Sequence, residues 1–193
     1  MERLGCLVRP VQEVRMIIVI TRPEFFVGEA ARIAELLTSG TADLVHLRKP
    51  SSTSDEMELL LRQLPPVLYD RLVLHDHFDL AVRYGLRGVH LNRRNPQPPT
   101  GWEGAVSISC HSLAELAECR CQPYAYMSLS PVFDSISKQG YRAAFTKDQL
   151  DEARRQGLID QRVMALGGMT FNRVKEVLQM GFGGAMILGD AWK

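Results

Sequence analysis

The chain has 193 residues, of which 46% are hydrophobic, and its 23 basic and 22 acidic side chains give a formal net charge of +1. This balance is typical of a globular domain and argues against nucleic-acid binding, which usually needs a concentrated basic excess. The early apolar run Met16–Ile20 is far shorter than the ~20 residues that span a bilayer. Four cysteines match neither a zinc site nor a disulfide framework. We therefore expect a cytoplasmic protein with no membrane and no nucleic-acid partner.

Residues 1–15 show no periodicity, and we interpret them as an extension that precedes one domain over residues 16–193. Along that domain, short apolar runs alternate with helical patterns. The predicted strands are, in chain order, Met16–Thr21, Leu44–Lys49, Leu72–Asp76, Gly88–Leu91, Val106–Cys110, Ala125–Leu129, Val163–Leu166 and Ala185–Leu188. The predicted helices are Gly28–Leu37, Asp55–Gln63, Leu80–Tyr84, Leu113–Cys119, Lys147–Gln156 and Asn172–Met180.

Eight strands that mostly alternate with helices predict parallel βαβ units closed into a compact (β/α)₈ TIM barrel. Only Gly189–Lys193 follow the last predicted strand, so the eighth helix is predicted to be missing or truncated. An open doubly wound sheet is the alternative fold. Its nucleotide-binding version is disfavoured because TRPEFF stands after the first strand, where that fold has a glycine-rich turn.

Polar residues gather where the predicted strands end, which is where the working groups of such a barrel lie. His46 and Arg48 share one strand face. A strand-end arginine beside an apolar core favours a ligand over packing, with a structural salt bridge as the alternative. Asp76 ends an apolar strand, where its carboxylate suits a divalent cation, with a helix N-cap or a loop hydrogen bond as the alternative. Lys138 lies in the polar loop SPVFDSISKQG, which is either an anion site or an ordinary surface loop.

Glycines follow the last two predicted strands, at Gly167, Gly168 and Gly189. They leave room for an anion to reach backbone N–H groups, and a helix beginning near Thr170 adds the positive end of its dipole. The loops after the last two strands form the common phosphate site of this fold, whereas plain tight turns are the alternative. With a second anion site near Arg48, this pattern predicts two phosphorylated ligands or one long ligand.

From about Met16 to Asp190, the strand-end motifs are, in order, VHLRK, LVLHDHFDLA, GVHL, SISCHS, SPVFDSISK and VMALGGM…GFGGAMILGD. Taken together, these motifs resemble the thiamine phosphate synthase/TenI family. The resemblance implies a (β/α)₈ transferase of thiamine biosynthesis that joins a hydroxymethylpyrimidine diphosphate to a thiazole phosphate. It also implies that diphosphate leaves with the help of Mg²⁺. The expected partners are small phosphorylated molecules; the sequence gives no oligomeric state, and a homo-oligomer is compatible with it.

The resemblance also implies a role for each matching residue. The implied catalytic residues, which contact the diphosphate, are Arg48, Lys138 and Ser109. The implied metal ligands are Asp76 and Asn95. The implied substrate-binding residues are His46, Lys49, His75, Ser135, Ser137, Gly168 and Gly189.

Several of these positions depart from the family pattern. Asn95 is neutral where the family has its second metal-binding aspartate, and Lys49 stands next to the usual position of a diphosphate-binding lysine. His46, in place of glutamine, is closer to the TenI branch, although Pro131 replaces the histidine of that branch. The alternatives are therefore a TenI-like thiazole tautomerase, with His111 or His46 as base, and a non-catalytic regulatory protein that binds phosphorylated ligands.

Overall fold

The computed structural model describes residues 15–134 and 143–193 of the chain. Eight parallel strands pair in sequence order, and the eighth pairs with the first, so the sheet closes into a barrel. The strands are β1 (Met16–Ile20), β2 (Leu44–Leu47), β3 (Leu72–Leu74), β4 (Gly88–Leu91), β5 (Ala105–Cys110), β6 (Tyr126–Leu129), β7 (Val163–Ala165) and β8 (Gly184–Ile187). The predicted (β/α)₈ barrel is confirmed.

Among the described residues, six α-helices connect the strands on the outside of the barrel. They are α1 (Glu29–Thr38), α2 (Ser54–Arg62), α3 (Phe78–Tyr84), α4 (Leu113–Cys119), α5 (Lys147–Arg155) and α6 (Val174–Gln179). Residues 92–104, between β4 and β5, form a loop, as the proline- and asparagine-rich sequence predicts. In the described ranges, no helix has both the length and the apolar character needed to cross a bilayer.

Helix starts follow from local sequence. Thr53 and Glu56 form a capping box at the start of α2, in which side chains accept the N–H groups that the first helical turn leaves free. Thr146 and Gln149 do the same for α5. Both helices therefore begin at a residue that the sequence specifies.

A short 3₁₀ helix, Gly189–Trp192, lies where an eighth α-helix would follow β8. Trp192 is 6% exposed, and its indole N–H donates to the carbonyl of Ile20 over 2.7 Å. The ring also meets Phe26 edge-on, with 5.7 Å between centroids. In the described chain this 3₁₀ helix takes the place of an eighth α-helix, and Trp192 covers part of the flank beside β1.

The barrel interior has an apolar side and a polar side. The apolar side is built mainly by side chains of β1, β7 and β8, including Ile18, Ile20, Met164 and Met186. The polar side is built on β2, β4, β5 and β6, whose buried polar side chains are His46, His90, Ser107 and Ser128. Such a polar interior is unusual for a barrel core, which is mostly filled by branched apolar residues.

Candidate active site

Most of the expected site residues that the structure describes lie shortly after the strands, whereas His46 lies on β2 and Ser109 on β5. Strand β2 ends at Leu47 and β3 at Leu74, so Arg48 and Asp76, which the sequence placed within or at the ends of these strands, lie one and two residues beyond the observed ends. Because all the strands are parallel, the loops that follow them share one end of the barrel, here called the mouth. The predicted residues Ser135, Ser137 and Lys138 lie outside the described residues.

The carboxylate of Asp76 accepts three N–H groups. Arg94 approaches it with both arms of its guanidinium group, Nε to Oδ1 and Nη2 to Oδ2, each over 3.0 Å. The side-chain amide of Asn95 donates to Oδ1 over 2.9 Å and to the carbonyl of His75, also over 2.9 Å. Such a two-armed contact fixes both the position and the orientation of Arg94.

Arg48 supplies a second guanidinium group at this place. Its backbone N–H donates to the hydroxyl of Thr21 over 2.8 Å. Its side chain is half-buried and makes no hydrogen bond or ion pair with another described residue. Burial, followed by the nearby charge of Arg94, lowers the pKa of Arg48, while Asp76 opposes that shift. The structure therefore brings Arg48, Asp76 and Asn95 together, and adds Arg94.

The expected magnesium ligands do not fit the metal in this arrangement. Mg²⁺ requires oxygen ligands in near-octahedral geometry. Both oxygens of Asp76 instead face N–H donors, and Asn95 turns its amide nitrogen, not its oxygen, toward the carboxylate. The predicted pair of ligands is thus corrected. Sequence reasoning missed Arg94, although the basic pair in NRRN directly after β4 was a visible signal.

Below the mouth, two histidines and a tyrosine form a hydrogen-bonded chain across the interior. His46 Nδ1 lies 2.9 Å from His75 Nε2, and His46 Nε2 lies 2.5 Å from the hydroxyl of Tyr126. His46 is 0% exposed. Since both of its ring nitrogens have protein partners, the predicted direct contact of His46 with substrate is corrected to a supporting role.

A third buried histidine lies beneath one of the predicted diphosphate ligands. His90 Nε2 lies 2.8 Å from the hydroxyl of Ser109, and its Nδ1 lies 2.8 Å from that of Ser107. The His90 and His75 rings stack with their centroids 4.4 Å apart. His90 therefore fixes the position of Ser109, which is half-buried at the end of β5.

All three buried imidazoles are neutral at physiological pH. Burial lowers the pKa of His46 and of His75 well below the ordinary value, and it lowers the pKa of His90 to about 3. One nitrogen of each ring lies within 4.8 Å of the other two, as in a metal site. However, His46 and His90 use both nitrogens in hydrogen bonds, so the cluster is a network of neutral side chains.

Lys49 is committed to a buried ion pair. Its ammonium group donates to both carboxylate oxygens of Glu29, over 2.7 and 2.8 Å, and to the carbonyls of Arg22 and Glu24. Lys49 is 0% exposed and Glu29 2%. The predicted diphosphate contact of Lys49 is therefore corrected. The partner lies on α1, twenty residues earlier, and no local pattern in the sequence indicates this pairing.

The glycines after β7 form a tight turn. Gly168 has a φ of +62°, and a Cβ atom there would lie 2.3 Å from the carbonyl oxygen of Asp134, so no other residue fits. In the described part of the chain, its N–H has no backbone acceptor. The helical start expected near Thr170 is the 3₁₀ helix Phe171–Arg173. Its first N–H, that of Phe171, donates to the carboxylate of Asp190 over 3.1 Å.

One of the histidines near the mouth is exposed to solvent. His111 follows β5, is exposed, and its Nδ1 lies 3.1 Å from the hydroxyl of Ser130. Of the two bases considered for a tautomerase, His111 is therefore the one that a ligand can reach.

Comparison with known proteins shows consistent similarity. A family model described as thiamine monophosphate synthase matches residues 17–189. The thiamine-phosphate synthase of Salinibacter ruber is 30% identical, covering 82% of this chain and 72% of that protein. The thiamine-phosphate synthase of Shouchella clausii is 26% identical, covering 84% of this chain and 81% of that protein. A crystal structure of thiamine phosphate pyrophosphorylase from Bacteroides thetaiotaomicron has a TM-score of 0.81 at 41% identity, covering 92% of this chain and 84% of that one.

Proposed function

Since the chain belongs to the thiamine monophosphate synthase family, we propose that it joins a hydroxymethylpyrimidine diphosphate to a thiazole phosphate, releasing diphosphate. The observation that supports this most directly is Arg48, which is half-buried beside Arg94 and has no side-chain partner among the described residues. The glycine turn after β7 lies on another side of the same mouth. Two places for phosphate groups at one mouth suit a reaction between two phosphorylated substrates.

In the proposed reaction, the bond between the pyrimidine methylene carbon and the diphosphate oxygen breaks. The electron pair leaves with that oxygen, and the lone pair of the thiazole nitrogen forms the new bond to carbon. The negative charge that develops on the leaving diphosphate is the main barrier, so fixed cations and donors there contribute most to the rate. Arg48 and Ser109 would donate to it, with Ser109 held in place by His90.

The second substrate requires positioning more than activation. Gly168 and Gly189 would bind the thiazole phosphate through backbone N–H groups. Ser135 and Ser137, in the segment of sequence after β6, are proposed to contact the thiazole ligand, and Lys138 is proposed to contact the diphosphate. His75, at the floor of the mouth, would contact the pyrimidine substrate.

The test is product formation by the purified protein with both substrates, measured by mass spectrometry of thiamine phosphate. Arg48→Met should lower kcat by about 10² to 10³, the usual loss for one donor to a developing negative charge. Arg83→Met is the matched control, because Arg83 is an exposed arginine at the end of α3. Absence of thiamine phosphate in all conditions, or equal rates for both variants, would contradict the proposal.

A thiazole tautomerase is the second candidate, and the exposed His111 at the mouth favours it. His111→Gln should abolish tautomerisation of the thiazole while leaving the synthase reaction. A phosphate-binding protein without activity would bind both ligands and convert neither. A cytoplasmic location stays a prediction from the sequence, which gives no oligomeric state and is compatible with a homo-oligomer.

A further inference from the structure

The four residues Arg48, Asp76, Arg94 and Asn95 form what we call the guanidinium corner of the mouth. Arg94 uses Nε and Nη2 to hold Asp76, and its Nη1 has no acceptor among the described residues. The side chain of Arg94 is 45% exposed. It is therefore fixed on one edge and free to donate hydrogen bonds on the other.

The corner is complementary to an anion. Two guanidinium groups and one carboxylate leave it with an excess of one positive charge. Asn95 offers no further donor to the anion, because both of its amide hydrogens are used on the carboxylate of Asp76 and the carbonyl of His75. One guanidinium group can donate two parallel hydrogen bonds to two oxygens of a phosphate, a geometry that the ammonium group of a lysine does not offer.

We propose that Arg94, held by Asp76, supplies the positive charge at the leaving diphosphate, where thiamine phosphate synthases generally use Mg²⁺. As in the proposed reaction, the bond between the methylene carbon and the diphosphate oxygen breaks, and the bond between that carbon and the thiazole nitrogen forms. Arg94 transfers no proton and only donates hydrogen bonds to the diphosphate oxygens. Asp76 is then a positioning residue for Arg94 and not a metal ligand. This inference rests on the proposed function for its substrate, but it concerns diphosphate binding, which is measured separately.

The first experiment is calorimetry of inorganic diphosphate binding to the full chain, with a chelator or with Mg²⁺. Diphosphate should bind in the chelator, with an affinity within about threefold of that in Mg²⁺. Arg94→Met should weaken binding about 10- to 100-fold, as expected for the loss of charge-assisted hydrogen bonds. Arg93→Met is the matched control, since Arg93 is the exposed neighbouring arginine, and its affinity should equal that of the wild type.

The second experiment asks whether the corner can be converted into a metal site. In the double variant Arg94→Gln/Asn95→Asp, position 95 carries a second carboxylate beside that of Asp76. The guanidinium group that donates two hydrogen bonds to Asp76 is removed. This variant should bind Mn²⁺, detected by electron paramagnetic resonance, whereas the wild type should not. Because Arg94 and Asn95 are on a loop, circular dichroism and thermal unfolding should show folded proteins.

The outcomes separate this inference from the proposed function. Diphosphate binding that requires Mg²⁺, Mn²⁺ binding by the wild type, or unchanged affinity in Arg94→Met would overturn the role of Arg94, even if thiamine phosphate is formed. Conversely, Arg94-dependent diphosphate binding in the chelator without any thiamine phosphate would support the role of Arg94 and reject the synthase reaction.

Discussion

At the residue scale, the buried histidines link the polar interior of the barrel to pH. His46, His75 and His90 are held neutral by burial, so the folded state resists protonation of these rings. In the unfolded chain they take up protons near pH 6.5. Below that pH the unfolded state binds more protons than the folded state, and stability must therefore fall as the pH falls.

We expect the free energy of unfolding to decrease from about pH 6.5 downward, by about 1.4 kcal/mol per pH unit for each buried histidine. The decrease should continue toward pH 3, near the pKa of folded His90. His46→Gln should lower the slope of the free energy of unfolding against pH by the contribution of one histidine, about 1.4 kcal/mol per pH unit. Urea unfolding at pH 7.5, 6 and 5 measures this. Replacement of the exposed His111 by glutamine is the control, and equal slopes for wild type and His46→Gln would reject the explanation.

The sequence predicts the position of a site residue better than it predicts which distant residue that side chain will contact. Arg48 and Asp76 were predictable, because each directly follows an apolar strand whose end must lie at the mouth. The pairs Lys49–Glu29 and Arg94–Asp76 were not, because each joins two loops or elements that approach only after the barrel closes. The sequence shows which side chains reach the mouth, but not which of them neutralise one another.

At the element scale, the sequence predicted every strand within a few residues, because apolar runs bounded by turn residues define them. It placed the ends of β2 and β3 two residues too late, since buried residues such as Lys49 and His75 extend the apparent strand. It also gave one continuous helix where the structure has Phe171–Arg173 followed by α6. These differences concern the ends of the elements, whose exact positions are not determined by the periodicity of apolar residues.

The short helices after β7 and β8 are joined by Asp190. Its carboxylate accepts the N–H of Phe171 and the ammonium group of Lys193. These hydrogen bonds, first that of Lys193, lower the pKa of Asp190. A negative charge therefore adjoins the proposed phosphate site at Gly189 and should weaken it.

We expect Asp190→Asn to bind inorganic phosphate about fivefold more tightly, because a like charge is removed while an acceptor for Phe171 remains. Titration calorimetry at low ionic strength is the measurement. Glu35→Gln, which removes an exposed carboxylate from the far end of α1, should leave the affinity unchanged. Weaker binding by Asp190→Asn, or the same gain in both variants, would show that no phosphate binds there.

At the scale of the whole molecule, the 3₁₀ helix after β8 contributes one side chain that is important for the closure of the barrel. Trp192 packs on Phe26 and bonds to the end of β1, next to the β8–β1 pairing. Few other residues after β8 cover that flank, because the described chain there is only the 3₁₀ helix Gly189–Trp192.

Trp192→Ala should lower the free energy of unfolding by about 3–5 kcal/mol, the usual cost of removing a buried aromatic ring. Trp192→Phe keeps a ring but loses the hydrogen bond to Ile20, and should cost about 1 kcal/mol. Denaturant unfolding followed by far-UV circular dichroism gives both values. A similar loss in both variants would mean that the hydrogen bond, and not the packing of the ring, secures this flank.

The β8–β1 pairing also has a kinetic consequence. It joins Met16 to Gly184, so the barrel acquires its last seam only when nearly the whole described chain has been ordered. A closed barrel has no sheet edge, but until β8 arrives β1 exposes one. The run MIIVI is apolar, uncharged and rich in β-branched residues, a composition that favours pairing between chains. During folding, intramolecular closure therefore competes with aggregation through β1, and dilution or rapid closure favours the native barrel.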